Sequence, residues 1–237
     1  MRFLLLHGFT GTPESFTAVH APEGSHAPVL GGHLDQPVVG GFWDEVERLA
    51  AQSIGCDGLF GYSLGGRLAL GMLARYPNRF ARAIIVSAQA GLATEAERSA
   101  RRQSDAELIT LLRMRGLPAF VERWQALPLW ASQAALPEGV LQAQREQRLR
   151  HSAEGLAQSL LRHGLAEMPD LRSQLASVES RVDLLVGERD EKFVTLGREL
   201  ASVMLRAHLT IAEGSGHNLV LERPELCSER LLKGSPS

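Results

Sequence analysis

The sequence predicts an α/β protein in which helices flank both faces of a mostly parallel sheet. Short apolar segments alternate with longer segments of helical spacing, and that alternation is typical of parallel strands joined by helices. Hydrophobic residues make up 44% of the chain and charged residues 22%, as in ordinary globular proteins. A length of 237 residues fits one such domain with a modest insertion.

The expected strands are short apolar runs that end at turn residues. The first run stops before the turn at His7-Gly8, and the run ARAIIVS is rich in β-branched residues that favour a buried strand. The expected strands are residues 2–6, 56–62, 81–87, 181–186 and 207–211, with a further short strand near residues 28–30.

Helical spacing of apolar residues separates these strands. Residues 42–52 have this spacing and end near Gly55, and residues 65–75 stop before Pro77, which cannot continue a helix. Residues 197–202 and 224–232 are the remaining expected core helices. A helix between successive strands provides the crossover that parallel pairing requires.

Between residues 91 and 165 the alternation fails. Ala, Leu, Gln, Glu and Arg dominate there, which favours several short helices. The expected breaks between these helices are Gly116, Pro118, Pro128, Pro137 and Gly155. We therefore expect an α/β core formed by residues 1–90 and 166–237, with residues 91–165 inserted as a helical cap over one end of the sheet.

Charge and cysteine content narrow the possible partners. A formal net charge of −2 gives no reason to expect nucleic acid or a membrane surface as a partner. Cys56 and Cys227 match no metal or redox spacing, and no metal or cofactor is expected. The sequence shows no signal peptide and no long apolar segment, so the expected compartment is the cytoplasm. We expect a monomer or a weak homo-oligomer.

The segment GYSLG at residues 61–65 has the pattern G-x-S-x-G. It follows an apolar strand and opens a helix, which is the context of a nucleophile elbow. Gly61 and Gly65 would let the strand and the helix approach each other while the serine backbone is strained. Ser63 is therefore the predicted catalytic serine, and the alternative is a glycine-rich turn with an incidental serine.

A catalytic serine needs a histidine to remove its proton, and the histidine needs an acid to fix its tautomer. Of eight histidines, His217 is best placed, in the loop GSGHNLVLERP after a predicted strand. Asp190 follows the strand in RVDLLVGERD and gives the chain order Ser, Asp, His. Asp183 within that strand and Glu191 beside Asp190 remain alternatives for the acid.

The amino-terminal motif LHGFTG predicts the oxyanion hole. We assign its two donors to the backbone N–H groups of Phe9 and Leu64. These parts together predict an α/β-hydrolase fold. The fold by itself leaves esterases, C–C bond hydrolases, lyases and non-catalytic binding proteins open.

Arg67 lies four residues after Ser63, one turn along the predicted helix. Helical side chains lean toward the amino terminus, so its guanidinium is expected to point back toward the serine. The helix amino terminus adds further positive potential. We expect an anionic substrate group beside Ser63, unless Arg67 pairs with a surface carboxylate.

Three loops carry the most specific motifs of the chain: GYSLGGR at residues 61–67, GERDEKF at residues 187–193 and GSGHNLVLERP around His217. They resemble the serine, aspartate and histidine loops of the 2-succinyl-6-hydroxy-2,4-cyclohexadiene-1-carboxylate synthase family of menaquinone biosynthesis. The cap segments GLATEAERSARRQSD, FVERWQALPLW and RLRHSAEGLA are similar in kind and order. The resemblance covers most of the chain, from Phe3 to Pro224.

The resemblance implies elimination of pyruvate from 2-succinyl-5-enolpyruvyl-6-hydroxy-3-cyclohexene-1-carboxylate, with the triad acting as a base. This substrate carries three carboxylates, which suits a pocket with several arginines. The residues that the resemblance places on the substrate are Arg67, Arg101, Arg150, Trp124 and Tyr62. Arg98 and Arg102 are neighbours that could replace Arg101, and Lys192 is expected to have a structural role.

Two features depart from the family pattern. The sequence starts almost inside the first oxyanion motif, which leaves the size of the sheet open, and GGHLDQPVVGG lacks the common G-H-G-x-S turn. The main alternative function is a small carboxylic-ester or C–C bond hydrolase that acts through a Ser63 acyl-enzyme. A binding protein without catalysis is a third hypothesis.

Overall fold

A computed structural model describes residues 1–233, and it contains a five-stranded sheet in which all neighbouring strands are parallel. The strands lie in chain order across the sheet. They are β1 (Phe3–Leu6), β2 (Gly58–Tyr62), β3 (Arg82–Val86), β4 (Arg181–Gly187) and β5 (Ala207–Ala212). Because all strands run in the same direction, their carboxyl ends meet at one edge, where α/β proteins place their sites.

The helices of the described residues lie in the core, in the cap and at the carboxyl end. They are α1 (Phe42–Gln52), α2 (Leu64–Arg75), α3 (Glu95–Gln125), α4 (Glu138–Arg148), α5 (Ala153–His163), α6 (Arg172–Leu175), α7 (Glu191–Val203), α8 (Leu219–Glu222) and α9 (Pro224–Leu232). Short 3₁₀ helices occupy Pro13–Phe16 and Pro128–Ala135. Within residues 1–233, no helix combines the length and apolar character that a membrane crossing needs.

Both faces of the sheet are buried, and the alternation of side chains along each strand explains how. Leu4 and Leu6 of β1 belong to the apolar cluster that α1 and α2 cover. Phe3 and Leu5 belong to the cluster on the opposite face, which α8 and α9 complete. A strand that is buried on both faces is expected to be mainly apolar, as β1 and β2 are.

The cap lies between β3 and β4 and has its own apolar cluster, in which α3 packs against α5. Gly116 interrupts α3 with φ 76° and ψ 178°, so a break occurs where one was expected. α6 packs on α2 and α7 of the core. The division of the chain at residues 90 and 166 stays a prediction.

Three expectations about local structure are wrong in detail. Residues 28–30 form no strand, and a single bridge joins Leu4 to His26 instead. Gly155 does not break a helix but lies within α5, where a Cβ would approach the carbonyl oxygen of Gly32 to 2.7 Å. α7 begins at Glu191 rather than at residue 197, because the Asp190 side chain accepts a hydrogen bond from the Phe193 N–H and caps the helix.

Three buried histidines connect the loop after β1 to a core loop and to the cap. His7 donates through Nδ1 to the Gly8 carbonyl and accepts the Leu30 N–H at Nε2, at 2.9 and 3.2 Å. His33 accepts the Thr10 N–H at 3.2 Å. His151, between α4 and α5, accepts the Leu34 N–H at 3.0 Å and donates to the Thr10 carbonyl at 3.0 Å.

Each of the three rings uses one nitrogen as an acceptor of a backbone N–H, so each must be neutral in the folded protein. Burial lowers the pKa of His7 from 6.5 to about 3, that of His33 well below 6.5, and that of His151 in the same direction. A protonated ring would point a second N–H at a backbone N–H donor. Acid should therefore weaken this connection between core and cap.

We predict that the free energy of unfolding falls as the pH drops from about 6.5 toward about 3, and that these histidines steepen the fall. The unfolded chain binds their protons below its ordinary histidine pKa, whereas the folded protein does not, so stability is complete only above that value. His151→Gln should reduce the slope by up to about 1.4 kcal/mol per pH unit.

Urea unfolding across this pH range measures the slope, and His20→Gln on the surface is the matched control. The His20 variant should keep the slope of the unmodified protein. Equal slopes for the unmodified protein and the His151 variant would contradict the prediction.

Candidate active site

Ser63 sits on a sharp turn between β2 and α2 with φ 51° and ψ −108°. The turn is possible because neighbouring glycines allow very close backbone contacts. A Cβ on Gly65 would lie 2.1 Å from the Leu6 carbonyl oxygen, and one on Gly61 would lie 2.5 Å from the Gly65 oxygen. The Ser63 N–H donates to the Val86 carbonyl at 2.9 Å, which anchors the strained turn to β3.

His217 lies between Ser63 and Asp190. Its Nε2 is 3.1 Å from Ser63 Oγ, and its Nδ1 is 2.7 Å from Asp190 Oδ2. A carboxylate at Nδ1 holds the proton there and leaves Nε2 free to accept the serine proton. The His217 side chain is 2% exposed, and the Phe193 ring contacts it at a centroid distance of 4.6 Å. The structure thus brings together the three predicted triad residues.

The two alternative acids lie elsewhere. Asp183 is buried within β4, where the Arg82 guanidinium pairs with its Oδ2 at 2.6 Å. Glu191 is exposed at the first position of α7. Neither carboxylate contacts His217, so Asp190 is the acid that the geometry supports.

The predicted oxyanion donors lie on the two loops next to Ser63. Phe9 follows β1 and lines the same cavity as Ser63, and Leu64 is the first residue of α2. Within residues 1–233, neither backbone N–H donates a hydrogen bond to the protein. The buried histidines fix the Phe9 loop by bonding to Gly8 and Thr10 on either side of it.

A cavity of about 180 Å³ opens beside Ser63 and extends beneath the cap. Its walls come from both the core and the cap. The residues that give it chemical character are Ser63, His217, Arg67, Arg101, Lys192 and Trp124. Within the described part of the chain, no three His, Cys, Asp or Glu side chains are grouped to hold a metal ion.

Arg67 is a partly buried cation of this cavity. Its Nη1 donates to the His163 carbonyl at 3.0 Å, and no carboxylate within residues 1–233 forms an ion pair with it. Burial and, to a smaller degree, the nearby Arg101 lower its pKa from 12.5 to about 9, although Asp105 acts in the opposite direction. A buried guanidinium without a counter-ion favours an anionic ligand.

The cap residues expected at the substrate divide into two groups. Arg101 and Trp124 line the cavity together with Tyr62, and Arg101 also donates to Asp105 Oδ1 at 2.9 Å. Arg150 is exposed and paired with Glu14, at the rim of a second cavity.

The two neighbours considered as replacements for Arg101 have other partners. Arg98 donates to the backbone carbonyls of Met168 and Leu92, at 2.5 and 2.6 Å, and so ties α3 to the chain after α5. Arg102 pairs on the surface with Glu95 and Glu167. Lys192, for which a structural role is expected, also lines the cavity.

Arg148 is a candidate site residue that its sequence context does not reveal. This side chain is 4% exposed, forms no ion pair within residues 1–233, and places its guanidinium 5.5 Å from the centroid of the Trp130 ring. Burial lowers its pKa from 12.5 to about 10. It lines the second cavity, of about 720 Å³, which shares the walls Phe9, Tyr62 and Trp130 with the first. Only the placement of α4 distinguishes Arg148 from its exposed neighbour Arg150.

Several residues that line the first cavity have buried polar atoms without a hydrogen-bond partner. Ten buried side-chain nitrogen or oxygen atoms of the described residues lack a partner, and six of them belong to residues of this cavity. They are Tyr62 Oη, Ser87 Oγ, Trp124 Nε1, Trp130 Nε1, Ser159 Oγ and His163 Nε2. Buried polar atoms are normally paired, so their concentration here indicates a polar ligand.

Comparisons with known proteins identify the family of the chain. The model of the alpha/beta hydrolase family matches residues 3–230. A 2-succinyl-6-hydroxy-2,4-cyclohexadiene-1-carboxylate synthase of Citrobacter koseri is 33% identical over 230 residues, which cover 93% of this chain and 88% of that protein. The corresponding enzyme of an Enterobacter species is 30% identical over 231 residues, with coverage of 93% and 86%.

Solved structures have the same fold. The structure of MenH from S. aureus matches with a TM-score of 0.90 and 27% identity, covering 98% of this chain and 92% of that one. An esterase from Thermogutta terrifontis matches with a TM-score of 0.80 at 21% identity, which shows the shared fold alone. By its sequence and its fold, the chain belongs to the 2-succinyl-6-hydroxy-2,4-cyclohexadiene-1-carboxylate synthase family of the alpha/beta hydrolases.

Proposed function

We propose that this protein is a carbon–oxygen lyase that eliminates pyruvate from 2-succinyl-5-enolpyruvyl-6-hydroxy-3-cyclohexene-1-carboxylate. The observation that carries the proposal is Arg67, a partly buried cation without a counter-ion within residues 1–233, in the cavity of the Ser63–His217 pair. An ester hydrolase has no need of a fixed cation there, whereas this substrate enters with three carboxylates. The relatives named above act, by their names, as synthases of the corresponding product.

The reaction begins with loss of the proton on ring carbon 2, which is next to the succinyl ketone. Ser63 takes this proton while His217 accepts the serine proton, and Asp190 stabilises the resulting imidazolium. Negative charge develops on the ketone oxygen as the ring proton leaves. The N–H groups of Phe9 and Leu64 have no partner within residues 1–233, and we assign them to this oxygen.

Elimination then completes the electron flow. The electron pair of the broken C–H bond forms the double bond between carbons 2 and 3, and the former double bond moves to carbons 4 and 5. The bond between carbon 5 and the enolpyruvyl oxygen breaks, and the enolpyruvate gains a proton on carbon to become pyruvate. No acyl group is transferred to Ser63. Each substrate molecule releases one molecule of pyruvate.

The carboxylates of the substrate match the cations of the two cavities. Arg67 and Arg101 line the cavity of Ser63, and Lys192 adds a third cation to it. Arg148 lies where the second cavity adjoins the first, at the shared wall formed by Tyr62 and Trp130. We therefore assign the inner contacts to Arg67, Arg101 and Arg148, with Arg150 as a contact at the rim and with Trp124 and Tyr62 packing on the substrate.

We predict that Arg67→Ala lowers kcat/KM for pyruvate release on the order of 100-fold, because it removes a charge-assisted contact made inside a buried cavity. Pyruvate is measured continuously with a coupled lactate dehydrogenase assay. Arg162→Ala, an exposed arginine on α5, is the matched control and should keep full activity. Absence of pyruvate release by the unmodified protein would contradict the proposed function itself.

Arg148→Ala should raise KM by about tenfold or more, because its guanidinium is buried and has no other anionic partner within residues 1–233. Arg150→Ala should change KM by less than about fivefold, because a solvent-exposed ion pair contributes little. The KM values of both variants, measured in the same pyruvate assay, show which substitution has the larger effect. A larger effect at Arg150 than at Arg148 would reverse the assignment.

The second candidate is a small carboxylic-ester or C–C bond hydrolase that forms an acyl-enzyme on Ser63. The triad distances favour it equally, because the same serine–histidine–aspartate arrangement serves acyl transfer. The two reactions differ in the covalent state of the enzyme during turnover.

We predict that protein quenched during turnover keeps its unmodified mass, since proton abstraction leaves no group on Ser63. Ser63→Ala should lower the rate of pyruvate release by about 1,000-fold or more, because the triad acts as a unit. Intact-mass spectrometry measures the mass of the protein quenched during turnover. An acyl adduct that appears in the unmodified protein and is missing from Ser63→Ala would favour the hydrolase.

A further inference from the structure

Ser87 lines the cavity of Ser63, and the reaction steps described above do not involve it. It follows β3 directly, and the pairing of Tyr62 with Val86 makes it the next register position beside Ser63. Its backbone has φ 48°, in the left-handed region that non-glycine residues rarely adopt. Its side chain is buried, and Oγ has no hydrogen-bond partner within residues 1–233.

This residue is expected to lower the stability of the protein in two independent ways. A buried hydroxyl without a partner has lost its hydration and gained nothing in return, and alanine would avoid that cost. A left-handed backbone is strained for serine, and glycine would avoid that cost. Strain of this kind occurs at functional sites; Ser63 of the same cavity and Thr10 of the second cavity have it too, with φ 51° and 64°.

The chemistry of the hydroxyl indicates what it binds. A serine hydroxyl both donates and accepts a hydrogen bond, so it complements another hydroxyl, whereas the arginines of the cavity only donate and suit carboxylates. The proposed substrate carries one hydroxyl, on ring carbon 6. That carbon is separated by a single ring atom from carbon 2, where the proton is removed.

We propose that Ser87 binds the ring hydroxyl of the substrate and so orients the ring over Ser63; this inference rests on the proposed function. A residue that contacts the hydroxyl while Ser63 contacts the carbon 2 proton must be a near neighbour of Ser63. Adjacent strands lie about 4.8 Å apart, which places Ser87 at the required separation. Ser159, the other unpartnered serine hydroxyl of the cavity, comes from α5 in the cap and not from the sheet edge.

The test compares two ligands that differ at the hydroxyl. The ring product keeps the hydroxyl, whereas 2-succinylbenzoate has the same two carboxylates and ketone on an aromatic ring that lacks it. Competitive inhibition of pyruvate release, or quenching of tryptophan fluorescence if no pyruvate is released, gives the affinity of each. The unmodified protein should prefer the hydroxylated ligand by about tenfold or more, and Ser87→Ala should lose most of this preference.

A second measurement separates this role from a structural one. Ser87→Ala should raise Tm by about 2–4 °C, because it removes an unpaired buried hydroxyl, and Ser87→Gly should show the same loss of preference. Ser180→Ala is the matched control, a buried hydroxyl bonded to the Phe80 carbonyl at the opposite edge of the sheet. It should lower Tm and keep the ligand preference.

An unchanged preference in both Ser87 variants would overturn the inference while leaving the proposed function intact, provided that the unmodified protein releases pyruvate. A lower Tm for both variants with unchanged preference would assign Ser87 to the fold. Failure of the unmodified protein to bind either ligand would overturn the inference together with the function on which it rests.

Discussion

The close contact between the start of α2 and the end of β1 is the constraint on which the site depends. Gly65 lies so near the Leu6 carbonyl that any side chain there would collide with the backbone. This contact fixes the amino terminus of α2, and with it the strained Ser63, the Leu64 N–H and Arg67 one turn later. It also sets these groups beside the Phe9 loop, which directly follows β1. One backbone approach thus positions Ser63, both proposed oxyanion donors and Arg67.

Two arginines near this turn have no ion pairs within residues 1–233, which favours an anionic ligand. Arg148 is buried and Arg67 partly buried, neither forms an ion pair within residues 1–233, and desolvation lowers the pKa of each. Unpaired polar atoms gather in the same cavity, among them Ser87 Oγ. A protein selected for stability alone would place apolar residues at these positions. Unpaired arginines and polar atoms are expected in this cavity if its ligand carries several carboxylates and a hydroxyl that bind to them.

Local motifs were sufficient to predict the triad, because Ser63, Asp190 and His217 each follow a strand in a recognisable loop. The strands were also predictable from local sequence, since each is a short apolar run between turn residues. Arg148 could not be told from Arg150, because the choice depends on how α4 packs against Trp130. The histidine network was equally hidden, since His7, His33 and His151 meet only after the cap folds over the core. Ser87 looked like the last residue of a strand, and its strain appears only in three dimensions.

The central claim is that a hydrolase-type triad acts here as a base on a ring carbon. It is tested most directly with substrate that carries deuterium on ring carbon 2. The account predicts that the ring product contains no deuterium and that one pyruvate is formed for each ring. A product that keeps the deuterium on carbon 2, or turnover that releases no pyruvate, would contradict it.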